Sequence, residues 1–362
     1  MKAYVTLNFD ECRDKMKLKI TSLLIAVALL AACATQPTTV EPTDNESEQT
    51  GQEKEQPSEP IEEEAEESVG IQFPEVSLQK KDEGEDVLLL QEALKEIGYE
   101  LPADGVYSEV TTWAITDFQL QMGNLSATGI YDEATKLGLE KFAKEEKSIE
   151  AGAALPPLAE AVFTNSGSEV LGNPYDLLAI VNKENALPDD YVPNDLVVPD
   201  VRFPFTEDLP KKQLRAPAAD ALEQLFAAAD EAGYPLFAQS GYRSHERQVG
   251  LFSSYVSEHG EKEANLFSAR PGESEHQTGL SMDISSETVN YQLVTDFGDT
   301  PEGKWVKDNA HQFGFIIRYP EGKEEITKYQ FEPWHLRYFG PKAAKEIMEN
   351  NMTLEEYFNE EN

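Results

Sequence analysis

Two histidines in this chain lie near carboxylate residues at a spacing that suits a catalytic metal ion. His276 precedes Asp283 by seven residues, and Gly279 between them can turn the chain so that both side chains face one point. His335 follows Glu332 by three residues, and the proline between those two indicates an extended segment with a local bend. Two imidazoles and a carboxylate form a three-ligand zinc set that leaves a position open for water. We expect Glu332 to be a base beside the metal and not a ligand.

The remaining histidines have a simpler interpretation. The chain contains five histidines, and a single histidine is more often a surface or core residue than a ligand. That interpretation suits His245 and His259, on a predicted helix and at its end, and His311, on a predicted helix before a strand. It suits His276 and His335 less well, because Asp283 is a possible second ligand near His276 and Glu332 is a possible base near His335.

The residues around these histidines match the pattern of a known family. In order they read Ser274-x-His276-x-x-Gly279-x-Ser281-x-Asp283, and then Glu332-x-x-His335. This pattern resembles the SxHxxGxAxD and ExxH motifs of VanY-type D-alanyl-D-alanine carboxypeptidases, with serine at 281 where the family usually has alanine. The resemblance covers about residues 176–340. It implies that His276, Asp283 and His335 bind zinc, that water activated by zinc is the nucleophile and that Glu332 is the general base.

The resemblance also implies further substrate contacts. Arg243, in a Gly-Tyr-Arg-Ser turn after a predicted strand, matches the arginine of the family that stabilises charge on the scissile carbonyl oxygen. A surface salt bridge or a phosphate contact is the simpler alternative. Ser274 and Gln239 are candidates to hydrogen-bond the substrate, and Trp334 either walls the pocket or belongs to the core. The implied reaction is hydrolysis of the terminal D-Ala from stem pentapeptides. Alternatives are a peptidoglycan endopeptidase, a D-Ala-D-Ala dipeptidase and a non-catalytic wall-binding lipoprotein.

The elements that must position these residues indicate an α+β domain over residues 173–348. Apolar spacing and turn residues predict helices and strands in mixed order. The helices are expected over 217–232, 244–258 and 305–313, and the strands over 236–239, 279–285, 315–319 and 334–338. Short strands mixed with helices favour a small antiparallel sheet with flanking helices over a doubly wound sheet.

A separate helical module is predicted over residues 78–142. Apolar residues at helical spacing predict a helix that ends at Gly98 and a second helix over 110–122. The segments 104–111 and 128–135 resemble each other, because each places a glycine turn before an acidic helix start. The module resembles the peptidoglycan-binding domain that accompanies many cell-wall hydrolases, a small three-helix bundle. The motifs that carry this resemblance are, in order, Val87-x-x-Leu90-Gln91, Asp104-Gly105-x-Tyr107, Thr111-x-x-Ala114, Phe118-Gln119 and Asp132-x-x-Thr135. A bundle that binds no ligand is the alternative.

The first 33 residues are typical of an export signal. Lysines precede an apolar run that ends in Leu-Ala-Ala-Cys33, which resembles the lipobox of bacterial lipoproteins. We expect Cys33 to carry the lipid, and Met16 is a more natural start than Met1. Residues 34–77 are expected to be a disordered acidic tether, residues 143–172 a linker and residues 349–362 a tail. The expected location is outside the cytoplasmic membrane, anchored by lipid and in contact with the cell wall.

Charge and cysteine content limit the other functions of the chain. Its 362 residues carry a formal net charge of -38, which opposes binding to nucleic acid and to anionic lipid headgroups. The two cysteines, Cys12 and Cys33, both precede the predicted domains, so no disulfide framework is expected. The predicted partners, which the two family resemblances and the lipobox imply, are stem peptides, cell-wall glycan or peptide, and a membrane through the lipid.

Overall fold

The structure is a computed structural model that describes residues 70–145 and 147–359. Its first part is a bundle formed by α1 (Glu85–Ile97), α2 (Glu109–Met122) and α3 (Glu133–Lys144). Apolar residues that recur at helical spacing on α1, such as Leu90 and Leu94, are fully buried. The expected signal peptide, Cys33 and the expected tether up to residue 69 lie outside the described residues.

The sequence repeat in this module has a structural counterpart. The side-chain oxygen of Gln91 accepts hydrogen bonds from the backbone N–H groups of Asp104 and Gly105, at 3.0 and 2.9 Å. The side-chain oxygen of Gln119 likewise accepts from the N–H groups of Thr128 and Gly129, at 2.8 and 3.0 Å. Each glutamine therefore ties a helix to the glycine turn that follows it.

The module is larger than the sequence indicated. Phe73, in the expected tether, and Ile149 and Leu155, in the expected linker, are buried in the core of the module. The buried carboxylate of Asp117 accepts hydrogen bonds from the backbone N–H groups of residues 152, 154 and 155. Residues 147–155 are thus held to the bundle, because a buried carboxylate needs such donors.

The second part of the chain confirms the predicted α+β class. Its small strands are β1 (Val162–Phe163), β2 (Glu169–Val170), β3 (Asn185–Ala186), β4 (Leu196–Val197) and β5 (Leu214–Arg215). Next come α4 (Ala216–Glu231), β6 (Phe237–Ser240), α5 (His245–His259), α6 (Glu261–Phe267), β7 (Ser281–Ser285), α7 (Pro301–Asn309) and β8 (Phe315–Tyr319). The last elements are α8 (Glu324–Thr327), β9 (Glu332–Tyr338), α9 (Pro341–Glu349) and α10 (Leu354–Asn359).

The main sheet of this part has the strand order β6-β7-β9-β8, with antiparallel neighbours. Its apolar residues pack against α4 and α7 in one core, which includes Leu225, Ile284 and Leu336. The prediction that residues 349–362 form a tail is wrong for α10, since Leu354 and Tyr357 on this helix are buried against α9. Within the described ranges, no helix combines the length and apolar character needed to cross a membrane.

The helical module contacts the second part through the turn of its second repeat. The backbone N–H of Leu177 donates to the carbonyl oxygen of Thr128 at 3.0 Å. The guanidinium of Arg215, which is 0% exposed, donates to the carbonyl oxygen of Ala127 at 2.5 Å and to that of Tyr175 at 2.9 Å. Buried hydrogen bonds of this kind hold the two parts in one arrangement.

Candidate metal centre

The three expected ligands meet at the centre of the main sheet. Asp283 on β7 and His335 on β9 are directly paired in antiparallel register, so their side chains project from the same face. His276 reaches them from a 3-10 turn, Glu275–Thr278, that precedes β7. The candidate ligand atoms of these three buried residues all lie within 4.8 Å of one another.

The turn between His276 and β7 requires a glycine. Gly279 has a φ of 69°, in the left-handed region that residues with a Cβ rarely adopt. A Cβ at this position would lie 2.9 Å from Cδ2 of Leu196 and 3.0 Å from Cγ of Arg215. β7 begins at Ser281 and not at the predicted residue 279, because the chain is still turning there.

Hydrogen bonds orient both imidazole rings. Nδ1 of His276 lies 2.9 Å from the carbonyl oxygen of Gly241, which can only accept, so Nδ1 carries the hydrogen and Nε2 is free for a metal. Nε2 of His335 lies 3.2 Å from Oε2 of Glu275. The other nitrogens point at Asp283: His276 Nε2 is 3.4 Å from Oδ2, and His335 Nδ1 is 3.0 Å from Oδ1. This arrangement fits zinc, whose histidine ligands usually donate their other N–H to a protein acceptor.

The protonation states suit a divalent cation. Burial lowers the pKa of His276 to about 3, so its imidazole is neutral at physiological pH. Burial also favours neutral His335, but its hydrogen bonds to Asp283 and Glu275 raise its pKa to about 9. Burial opposes the charge on Asp283, yet the nearby His276 and His335 hold its pKa below the usual value. Metal binding would replace the proton on His335, since a metal ligand must be deprotonated.

Glu332 is the first residue of β9 and lines the same cavity as the three ligands. The pairing of β8 with β9 is irregular between Ile317 and Tyr319, so that Tyr319 faces Glu332 while Ile317 faces Leu336. This irregularity corresponds to the local bend expected around the proline. Burial raises the pKa of Glu332 to about 7, a value that suits a general base at neutral pH.

The cavity brings together most of the other expected site residues. It has a volume of about 530 Å³, and Arg243, Ser274 and Trp334 line it. Nη1 of Arg243 donates to Oε1 of Gln248 at 3.0 Å, which steadies the guanidinium. Gln239 is absent from the described lining of this cavity; its amide nitrogen instead donates to the carbonyl oxygen of Tyr291. The expectation that Gln239 contacts the substrate therefore has no geometric support.

Sequence reasoning missed other residues around the site. Leu251 and Tyr255 of α5 and Phe267 of α6 form an apolar wall of the cavity. Tyr319 of β8 and Tyr329, which precedes β9, also line it. Glu275 also borders the cavity; it contacts Arg318 and Arg337, and all three side chains are fully buried. Glu275 lies inside the histidine motif, but an acidic residue between polar neighbours resembles a surface position. Arg318 within the apolar run 315–319 was the available signal, because a charge there needs a buried partner.

Comparison with known proteins extends these observations. Residues 211–341 match the family model "VanY: D-alanyl-D-alanine carboxypeptidase". Residues 83–136 match the model "Putative peptidoglycan binding domain". The two matches fall on the second part of the chain and on the helical module, respectively.

Individual relatives cover much of the same region. The chain is 57% identical over 192 residues to the "Putative carboxypeptidase YodJ" of Bacillus subtilis, covering 53% of this chain and 70% of the relative. It is 34% identical over 232 residues to a D-alanyl-D-alanine carboxypeptidase of Enterococcus faecalis. That match covers 57% of this chain and 80% of the relative. A solved structure of the LdcB LD-carboxypeptidase is 54% identical with a TM-score of 0.54, covering 56% of this chain and 94% of that one.

Proposed function

The chain belongs to the VanY family of D-alanyl-D-alanine carboxypeptidases, and we propose that it removes the terminal D-alanine of peptidoglycan stem peptides. It is a zinc-dependent carboxypeptidase. The observation that carries the residue assignment is the convergence of His276, Asp283 and His335, whose ligand atoms lie within 4.8 Å of one another. Two imidazole nitrogens and a carboxylate oxygen would hold zinc and leave one position open, as in other catalytic zinc sites.

Glu332 supplies proton transfer in the proposed mechanism. Zinc bound at such a site lowers the pKa of water to about 7 and polarises a carbonyl oxygen. Because the pKa of Glu332 is raised to about 7, its carboxylate accepts the proton of the attacking water and returns it to the leaving amine of D-alanine. General acid–base transfer of this kind contributes roughly 10²- to 10⁴-fold to the rate. The products are free D-alanine and a stem shortened by one residue.

Three further residues act on the substrate in this proposal. Arg243 stabilises the negative charge that develops on the scissile carbonyl oxygen, and Gln248 holds its guanidinium in place. A fixed donor to an oxyanion is worth roughly 10²- to 10³-fold in kcat. Ser274 offers a hydroxyl to the substrate backbone, and Trp334, which is 8% exposed, forms part of the cavity wall.

The rest of the chain supports a location of this site at the cell wall. The enzyme acts outside the cytoplasm on peptidoglycan peptides, and the helical module binds the wall. In the finer proposal, Cys33 carries a lipid that anchors the protein to the membrane, and the acidic segment after it gives reach. The sequence Leu-Ala-Ala-Cys33 supports lipidation. The burial of Phe73, Ile149 and Leu155 supports a helical module that extends from about residue 70 to 155.

An L,D-carboxypeptidase is the second candidate. It is favoured by the 54% identity to the LdcB LD-carboxypeptidase, a match that covers 94% of that chain. Both activities release D-alanine; they differ in whether the preceding residue is D-alanine, in a pentapeptide stem, or an L-centre, in a tetrapeptide stem. The same zinc ligands and base serve either reaction, so the pocket beside the scissile bond decides between them.

The test measures D-alanine release by mass spectrometry from a pentapeptide and a tetrapeptide stem. Zinc-loaded wild type is compared with protein treated with a chelator, with Glu332→Gln and with the exposed control Glu325→Gln. Loss of one D-alanine that disappears with chelator and with Glu332→Gln supports the proposal, and the preferred stem identifies the D,D- or L,D-activity. Cleavage of free D-Ala-D-Ala alone would contradict it, as would a fully active Glu332→Gln variant.

A further inference from the structure

The buried carboxylate of Glu275 contacts one of the proposed metal ligands, His335. Glu275 precedes the proposed ligand His276 in sequence, but its carboxylate contacts the ring of His335. Oε2 of Glu275 lies 3.2 Å from Nε2 of His335. Glu275 borders the cavity, but its side chain is 0% exposed and both of its oxygens are bonded within the protein. Its role in the reaction must therefore act through another residue.

The two oxygens of Glu275 have separate partners. Oε1 accepts from Nε of Arg318 at 2.8 Å and from Nη1 of Arg337 at 3.1 Å. Oε2 faces the His335 ring, with the hydroxyl of Ser281 at 3.4 Å. Because both guanidinium groups are fully buried, Oε1 is held in place and Oε2 has one orientation toward the ring.

A second carboxylate, that of Glu355, also contacts Arg318. Glu355, on α10, accepts two hydrogen bonds from Arg318, at 2.9 and 2.6 Å. Glu275, Arg318, Arg337 and Glu355 thus form one buried cluster. It has two arginines and two carboxylates, so its formal charges balance. Glu355 shares Arg318 with Glu275 but does not contact His335, which makes it a matched control.

We propose that Glu275 is a positioning residue that accepts the Nε2–H of His335 and thereby presents Nδ1 of that ring to zinc. This inference rests on the proposed metal-binding role of His335. A glutamine at position 275 cannot serve both sides: whichever way its amide is turned, the NH₂ group faces either the Nε2–H of His335 or the two arginines. The Glu275→Gln variant therefore favours the other tautomer or another orientation of the ring.

Zinc affinity tests this directly. Metal-free wild type, Glu275→Gln and Glu355→Gln compete for zinc with a chromophoric chelator, and the change in absorbance gives each Kd. We expect Glu275→Gln to bind zinc roughly 10- to 100-fold more weakly, the usual effect of removing an acceptor behind a ligand. Glu355→Gln should stay within about 3-fold of wild type, since it leaves the His335 acceptor intact.

A spectroscopic readout separates positioning from a loss of folding. Long-range ¹H–¹⁵N spectra report which ring nitrogen of His335 carries the hydrogen, and circular dichroism reports whether each metal-free variant is folded. We expect the Nε2–H form in zinc-loaded wild type and its loss in zinc-loaded Glu275→Gln. If Glu275→Gln does not fold, Glu275→Asp, which keeps the charge but shortens the reach, replaces it with the same expected weakening. Wild-type zinc affinity with Nε2–H still present in a folded variant would overturn the inference, whereas a wild type that binds no zinc would instead refute the proposed function.

Discussion

Asp283 and His335 face each other on neighbouring antiparallel strands, with Oδ1 of the aspartate 3.0 Å from Nδ1 of the histidine. These residues are 52 positions apart in the chain. Their pairing fixes two of the three proposed ligands on the two central strands of the main sheet, and His276 joins them through one glycine-dependent turn. The geometry of the site therefore depends on strand register and on that turn.

Gly279→Ala tests the turn. The new Cβ would meet Leu196 and Arg215 at 2.9 and 3.0 Å, at a φ of 69°. Backbone strain and overpacking together should lower the free energy of unfolding by about 2–4 kcal/mol, measured by urea unfolding, and should weaken zinc binding. Gly322→Ala is the control, since Gly322 has a φ of 80° but nothing within 4 Å of the added atom. Equal losses for both variants would show that contact with the turn is unimportant.

Arg243→Ala should lower kcat by roughly 10²- to 10³-fold, with a smaller effect on KM, because the lost charge acts mainly on the transition state. Steady-state D-alanine release on the preferred stem gives both constants. Arg247→Ala, an exposed arginine one helical turn along α5, is the control and should retain wild-type kcat. A rise in KM with unchanged kcat for Arg243→Ala would assign this residue to substrate binding only.

The pH dependence of kcat/KM should have an acidic limb that belongs to Glu332. Burial raises the pKa of this carboxyl to about 7, and the positive charge of bound zinc would shift it downward. A general base must be ionised, so kcat/KM should fall about tenfold per pH unit as pH drops below that pKa, and level off above it. The limb should disappear from the residual activity of Glu332→Gln. Its persistence in that variant would assign the titration to another group.

Arg215→Met should destabilise the whole chain. The substitution removes buried hydrogen bonds to the carbonyl oxygens of Ala127, in the helical module, and of Tyr175. It also removes the partner of Asp195, because Nε of Arg215 lies 2.9 Å from Oδ1 of that carboxylate in wild type. Loss of one partner of a buried ion pair costs about 3–5 kcal/mol. Arg202→Met, which breaks the exposed pair with Asp230, should cost at most about 1 kcal/mol in the same denaturant titration. Similar losses for both arginines would argue against a structural junction between the two parts.

Local sequence patterns were sufficient for much of the architecture. Apolar spacing predicted α1 to its end before Gly98 and α2 to within one residue at its start. Ser244 was expected to begin α5, and its hydroxyl accepts from the N–H of Arg247. Period and capping are properties of neighbouring residues, so these elements can be inferred without knowledge of the fold. The boundaries of the module could not, because the burial of Phe73 and Leu155 depends on contacts with distant helices.

Local spacing was enough to identify the residues with the chemistry of a zinc site: two histidines, an aspartate and a glutamate in short motifs. Their relation in space depends on the fold, because only the pairing of β7 with β9 brings Asp283 to His335. The fold also decided that Gln239 points elsewhere and that Glu275 is buried beside two arginines. A side chain's partners across a sheet and its degree of burial are set by residues far away in the chain, and local spacing does not encode them.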